Sequence, residues 1–169
     1  MQQMQPNSGA YNVSIGARMK GELNLTALER ALNDVVQRHE ILRTRYEKVD
    51  GHPLPVIEAT AVIDLPLFDF QHLPLATREK EMAEAIYDFV KRPFDLVNGP
   101  IIRAGVFRYS PQDHVSAVVA HHIATDAWSS FILVREIVAL YQSYNENTLL
   151  QLDPLPLQYF DFAIWQRDH

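Results

Sequence analysis

Residues 114–122, HVSAVVAHH, are apolar at odd and even positions alike. Successive strand residues point to opposite faces, so a strand with this pattern has no face to give to water. It predicts a central strand covered on both sides. The segment that follows, Trp128 to Tyr144, is apolar nearly all round and reads as a largely buried helix. A chain built on such a strand must be layered, with helices packed on a sheet.

The remaining patterns fit that frame. Tyr11 to Lys20 alternates as a strand. Thr26 and Glu29 have capping-box spacing, and Leu25, Leu28, Leu32, Val35 and Val36 recur at helical spacing, which predicts an amphipathic helix over 26–38. Ile41 to Val49 and Leu54 to Glu58 read as strands joined by an Asp50-Gly51 hairpin turn. Residues 62–76 read as a loop with a short strand. Met82, Ile86, Phe89 and Val90 mark a second helix, which Pro93 must stop. Ile101 to Tyr109 and His114 to His121 form a second hairpin. A Pro-rich connection, Asp153 to Pro156, leads to a last helical piece, Gln158 to Asp168. The fold class is therefore α/β, a mixed β-sheet flanked by helices, in a single domain over residues 1–169. The first ten residues read as a loose lead-in without a signal peptide.

Charge and cysteine content narrow the function. Fifteen basic against twenty-one acidic residues give a net charge of -6. That opposes the basic stripe of a nucleic-acid binder and the polybasic surface of a membrane binder. The absence of cysteine excludes disulfides, Cys-ligated metals and thiol catalysis. It agrees with a cytoplasmic location.

The sharpest local feature is His121-His122-Ile123-Ala124-Thr125-Asp126-Ala127-Trp128-Ser129, where the apolar strand ends and the helix begins. Strand ends in α/β sheets are where binding crevices open. His121 and His122 must face opposite ways, so one meets the crevice and the other packs inward. A histidine so placed could take a proton from a nucleophile. On spacing alone two histidines beside an aspartate are more often structural than catalytic. A metal site is the weakest reading, because the two side chains diverge and no third histidine stands at ligand spacing. Arg38-His39-Glu40-Ile41-Leu42-Arg43-Thr44-Arg45-Tyr46 crosses a helix-to-strand junction. Arg38 suits a helix C-terminus. Arg43, placed inside a strand, needs an acidic partner, and Asp126 is a candidate. Tyr159, Phe160, Phe162, Ile164 and Trp165 crowd the chain's end, which reads as a face where something else packs.

Four segments together carry a resemblance. His121 to Ser129 resembles HHxxxDGWS, Arg38 to Tyr46 resembles RHExLRTxF, Phe94 to Pro100 resembles the PFDLxxGPxxR stretch, and Tyr159 to Arg167 resembles YxDFAxWQ. In that order they are similar to the amino-terminal half of a condensation domain of a nonribosomal peptide synthetase. The family's opening motif and its carboxy-terminal half are absent, so the chain reads as truncated at both ends. Ala127 replaces the motif glycine.

The resemblance implies one lobe of a chloramphenicol acetyltransferase-like fold. It implies amide formation between two thioesters carried on the phosphopantetheine arms of donor and acceptor carrier domains, with no cofactor bound directly. An adenylation domain and the missing lobe are the further expected partners. His122 maps to the catalytic position, orienting the amine and accepting its proton. His121 is mainly structural. Asp126 is expected to hold the loop through a buried ion pair, first with Arg43 and second with Arg38, and Trp128 supports the same loop. Both histidines set the chain apart from cyclisation relatives, and DAWS resembles peptide-bond-forming rather than epimerising relatives. A recruiting module without catalysis is the other implied role.

Overall fold

Residues 9–168 are described in the computed structural model; most of the lead-in lies outside them. Strand β1 (Asn12–Lys20) leads to helix α1 (Leu25–Arg38), then to a hairpin of β2 (Thr44–Val49) and β3 (His52–Ile57). A short β4 (Leu67–Asp69) precedes α2 (Leu75–Lys91). The hairpin β5 (Ile102–Ser110) and β6 (Asp113–His121) follows, then α3 (Ala127–Asn145) and α4 (Tyr159–Asp168).

The main sheet has the order β1-β6-β5-β4. β6 pairs antiparallel with both neighbours, while β4 lies parallel to β5, so the sheet is mixed. The doubly apolar strand is therefore interior. On one face Ile102, Ala104, Val106 and Ala120 pack with Leu28, Ala31, Leu32, Val35 and Val36 of α1 and with Leu133, Ile137 and Leu140 of α3. On the other, Phe107, Ala117 and Val119 pack with Met82 and Phe89 of α2. Gly105 sits on this second face, where a Cβ would stand 3.1 Å from Phe89 Cζ and 3.3 Å from Phe68 Cε2. Gly105→Val is therefore expected to cost about 1–3 kcal/mol by overpacking. An unchanged urea midpoint would count against that tight contact.

The hairpin turn forms as its dipeptide requires, with Asp50 at φ 50° and Gly51 at φ 83°. Helix α2 ends before Pro93. Its last carbonyls are taken by side chains from the sheet. Asn12 Nδ2 donates to Val90 O (2.6 Å) and Arg92 O (2.9 Å), and Arg103 Nε donates to Phe89 O (3.1 Å). These fill acceptors that a helix end leaves open. Among the described residues no helix is long and apolar enough to cross a membrane.

Three local expectations are corrected. Helix α1 is capped by Asn24, whose Oδ1 accepts from Ala27 N at 3.0 Å. Thr26 lies inside the first turn, and Glu29 instead accepts from Leu65 N at 3.2 Å. The strand expected from Ile41 begins at Thr44, because Glu40–Arg43 forms a 3-10 turn. Fully buried Leu42 anchors that turn in the core, and Leu42 N donates to His39 O at 3.0 Å. Arg43 is thus not on a central strand. Helix α3 is not buried all round either. It covers the sheet and α1 with one side only, leaving Trp128 76% and Phe131 64% exposed.

Candidate active site

The turn between β6 and α3 separates the two histidines as strand geometry requires. His121 ends β6 and is buried. Its ring lies edge-on to Phe94 at 6.4 Å and tilted to Tyr11 at 6.0 Å. Its Nδ1 accepts from Ile123 N at 3.1 Å, so this nitrogen carries no proton. Burial, and secondarily His122, lowers its pKa. His121 is built into the turn as a neutral acceptor. Phe94 is in turn covered by the Arg103 guanidinium, 4.1 Å from the ring centroid. Phe94, with Arg103 behind it, therefore backs the first histidine.

His122 is exposed. Its backbone N donates to Tyr11 O at 2.8 Å, which ties it to the entry of β1. Its Nδ1 lies 2.9 Å from Thr125 O. A carbonyl oxygen only accepts, so Nδ1 must carry the proton. In the neutral ring Nε2 then holds the lone pair, and the same hydrogen bond fixes that tautomer. It is the tautomer a proton acceptor needs.

Thr125 is buried, and its hydroxyl lies 3.1 Å from Ser130 Oγ and 3.3 Å from Ser129 Oγ. Asp126 caps α3. Its Oδ1 accepts from Ser129 N (2.8 Å) and Ser129 Oγ (2.6 Å), and Ser129 Oγ accepts from Asp126 N at 2.8 Å. This reciprocal capping box fixes where the helix starts. Ala127 is the first helical residue and has no positive φ, so the missing glycine is not needed for backbone freedom here.

The expected ion pair of Asp126 is corrected by this geometry. Asp126 is exposed and bonded to Ser129, not to an arginine. Arg43 donates to the carbonyls of Gln37 and Glu58 and lies 3.5 Å from Glu40. Arg38 donates to Glu136 Oε1 at 3.2 Å and to Asp153 O. Arg43, at the end of the 3-10 turn, is instead held by Gln37, Glu40 and Glu58. Trp128 stands on the open side of the first turn of α3. Sequence reasoning passes over Ser129, although D-x-x-S is a capping spacing. It also passes over Glu136, a lone acid among Leu133, Ile137 and Leu140.

The capping role yields a test. The Asp126 carboxyl is held below the usual carboxylate range, first by the Ser129 hydroxyl and then by the Ser129 amide. A depressed native pKa contributes stability above the unfolded value, about 3.9, and that contribution is lost as pH falls through the native value. Asp126→Asn keeps a good cap and is expected to melt close to wild type at pH 7 but with a flatter acid limb. Asp126→Ala is expected to melt lower. Severe unfolding of Asp126→Asn at neutral pH would instead point to a buried cation losing its partner.

The Condensation domain family matches residues 1–169. The chain is 37% identical over 166 residues, 98% of its length, to a linear gramicidin synthase protein of Brevibacillus parabrevis, of which it spans 2%. It is 39% identical over 166 residues to chondramide synthase of Chondromyces crocatus, covering 98% of this chain and 4% of that one. The starter condensation domain of rhizomide synthetase RzmA superposes with a TM-score of 0.85 at 20% identity, covering 99% of this chain and 40% of that one. That likeness shows a shared fold, a mixed sheet flanked by helices. With the two histidines, the capping aspartate and the helix start in place, the chain belongs to the condensation-domain family.

Proposed function

We propose that this chain supplies the histidine-bearing lobe of a condensation domain that joins two carrier-bound thioesters. The observation that carries the reading is the Nδ1–H of His122 donating to Thr125 O, which leaves Nε2 able to accept on an exposed side chain. The acceptor amine is held by a hydrogen bond to Nε2 and attacks the donor thioester carbonyl. A C–N bond forms and the C–S bond breaks. The proton shed by the amine passes to His122 and from there to the departing thiolate of the donor phosphopantetheine. The grown peptide is left on the acceptor carrier. Holding amine and thioester together supplies a large part of the rate, because a bimolecular step becomes an intramolecular one. His122 adds orientation and a proton acceptor.

Asp126, Ser129 and Thr125 set the turn that aims His122. His121, in this reading, packs the turn rather than touching substrate. Arg38, Arg43 and Trp128 act at a distance from the reacting atoms. The partners are donor and acceptor carrier domains with their phosphopantetheine arms, an adjacent adenylation domain and the carboxy-terminal lobe. The chain spans 2–4% of the gramicidin and chondramide synthases and 40% of the solved condensation domain. Alone, it is expected to form no amide, since one lobe lacks half of the carrier-docking surface.

The reading is tested in the parent synthetase by loading the donor carrier with a stereochemically defined peptidyl group. Amide transfer to a loaded acceptor supports condensation. Racemisation of the donor group without amide formation supports an epimerase, and neither product, with carriers verified as loaded, supports a recruiting module.

A further inference from the structure

Outside the turn, the most heavily buried charge cluster lies where α1 ends. Glu136, on α3, is 6% exposed. Its Oε1 accepts from Arg38 Nε at 3.2 Å and its Oε2 accepts from His39 Nε2 at 2.7 Å. A buried carboxylate needs such partners, and here they come from two successive residues of another helix end. The same helix end also grips the approach to α4. Gln158 Nε2 donates to Arg38 O at 3.1 Å, Glu40 N donates to Gln158 Oε1 at 3.2 Å, and Arg38 Nη2 donates to Asp153 O. One junction therefore joins α1, the middle of α3 and the segment entering α4.

Helix α3 is capped by Asp126, and its first turn holds the loop that aims His122. A shift of α3 along its axis would move that loop with it. Apolar packing against α1 fixes the distance between the helices but resists sliding less well than a two-point hydrogen-bonded lock. We infer that Glu136 is a positioning residue for the condensation step, acting through His39 and Arg38 to set the seat of α3 and hence of His122. The inference deepens the functional reading above and rests on it.

The experiment uses the parent synthetase with both carriers loaded, and compares wild type, E136Q and E136L in single-turnover amide formation. Rates are taken per folded molecule, at a temperature well below each protein's melting point. E136Q retains the shape and an acceptor, and is expected to stay within about threefold of wild type. E136L is expected to fall about 10- to 100-fold, the scale of a small misplacement of reacting groups. The concentration of acceptor carrier giving half the maximal rate should not change. If E136L does not fold, H39L replaces it and should lose rate at the lower end of that range, about 10-fold, since it removes one of the two points and leaves the Arg38 contact. A rate for the folded leucine variant within about twofold of wild type would overturn the inference, as would a loss confined to half-saturation. Absence of amide from wild type would instead overturn the functional reading. Wild-type amide with an undiminished E136L rate removes only the role of Glu136.

Discussion

Replacing His122 by alanine in the parent synthetase, with both carriers loaded, is expected to lower amide formation by about 10²–10⁴-fold. The fold should survive. His122 is exposed, and the side-chain bond it gives up is the one to the Thr125 carbonyl. The residual rate should still exceed that of free thioesters, because the enzyme continues to hold amine and carbonyl together. The parallel His121→Ala substitution should behave differently. It opens a gap between Phe94 and Tyr11 and removes the acceptor for Ile123 N. Its first effect should be a lower melting temperature, with activity lost in proportion to unfolding. Equal activity in folded His122→Ala and wild type would reduce His122 to a surface histidine.

The second large effect concerns stability. Phe107 is fully buried at the centre of the α2-facing core. Its ring stacks on Phe68 at 4.8 Å and meets Phe89 edge-on at 5.6 Å. Phe107→Ala is expected to cost about 3–5 kcal/mol, combining lost transfer energy with a cavity that rigid neighbours cannot fill. Urea unfolding measures it. A loss below about 1 kcal/mol would mean that Phe68 and Phe89 collapse into the space. The substitution also separates the two cores. Phe107 packs with Met82 and Phe89 of α2, so a partly unfolded Phe107→Ala protein should lose α2 first.

The sequence exposes the site more fully than it exposes the site's supports. The strand 114–122 reads as interior, and the helix after it reads as starting at Trp128, one residue past the observed start at Ala127. Those two facts place the histidines and separate their directions without coordinates. Ion pairing is less legible. Arg43 falls on a strand in the sequence reading because Ile41 to Val49, bounded by the Asp50-Gly51 turn signal, reads as one continuous strand. What intervenes is the 3-10 turn anchored by Leu42, and a turn of four residues leaves no periodic signal. Its consequence is to send Arg43 towards Glu58 and leave Asp126 to the helix cap. The buried partner of Arg38 is visible in principle. Glu136 interrupts an apolar face at core spacing, and a carboxylate there must find cations. Identifying which ones requires knowing that α1 crosses α3 near its end. The open face of α3, with Trp128 and Phe131, reads as buried because composition says that a surface is apolar but not whether anything described covers it.

The mass of the acceptor carrier decides whether condensation is the reaction. The parent synthetase is incubated with both carriers loaded, and the acceptor carrier is weighed intact over a single turnover. Its mass should rise by the donor acyl group while the donor carrier returns to free thiol, and His122→Ala should slow both changes together. An acceptor carrier that keeps its original mass while the wild-type donor stays loaded would contradict condensation.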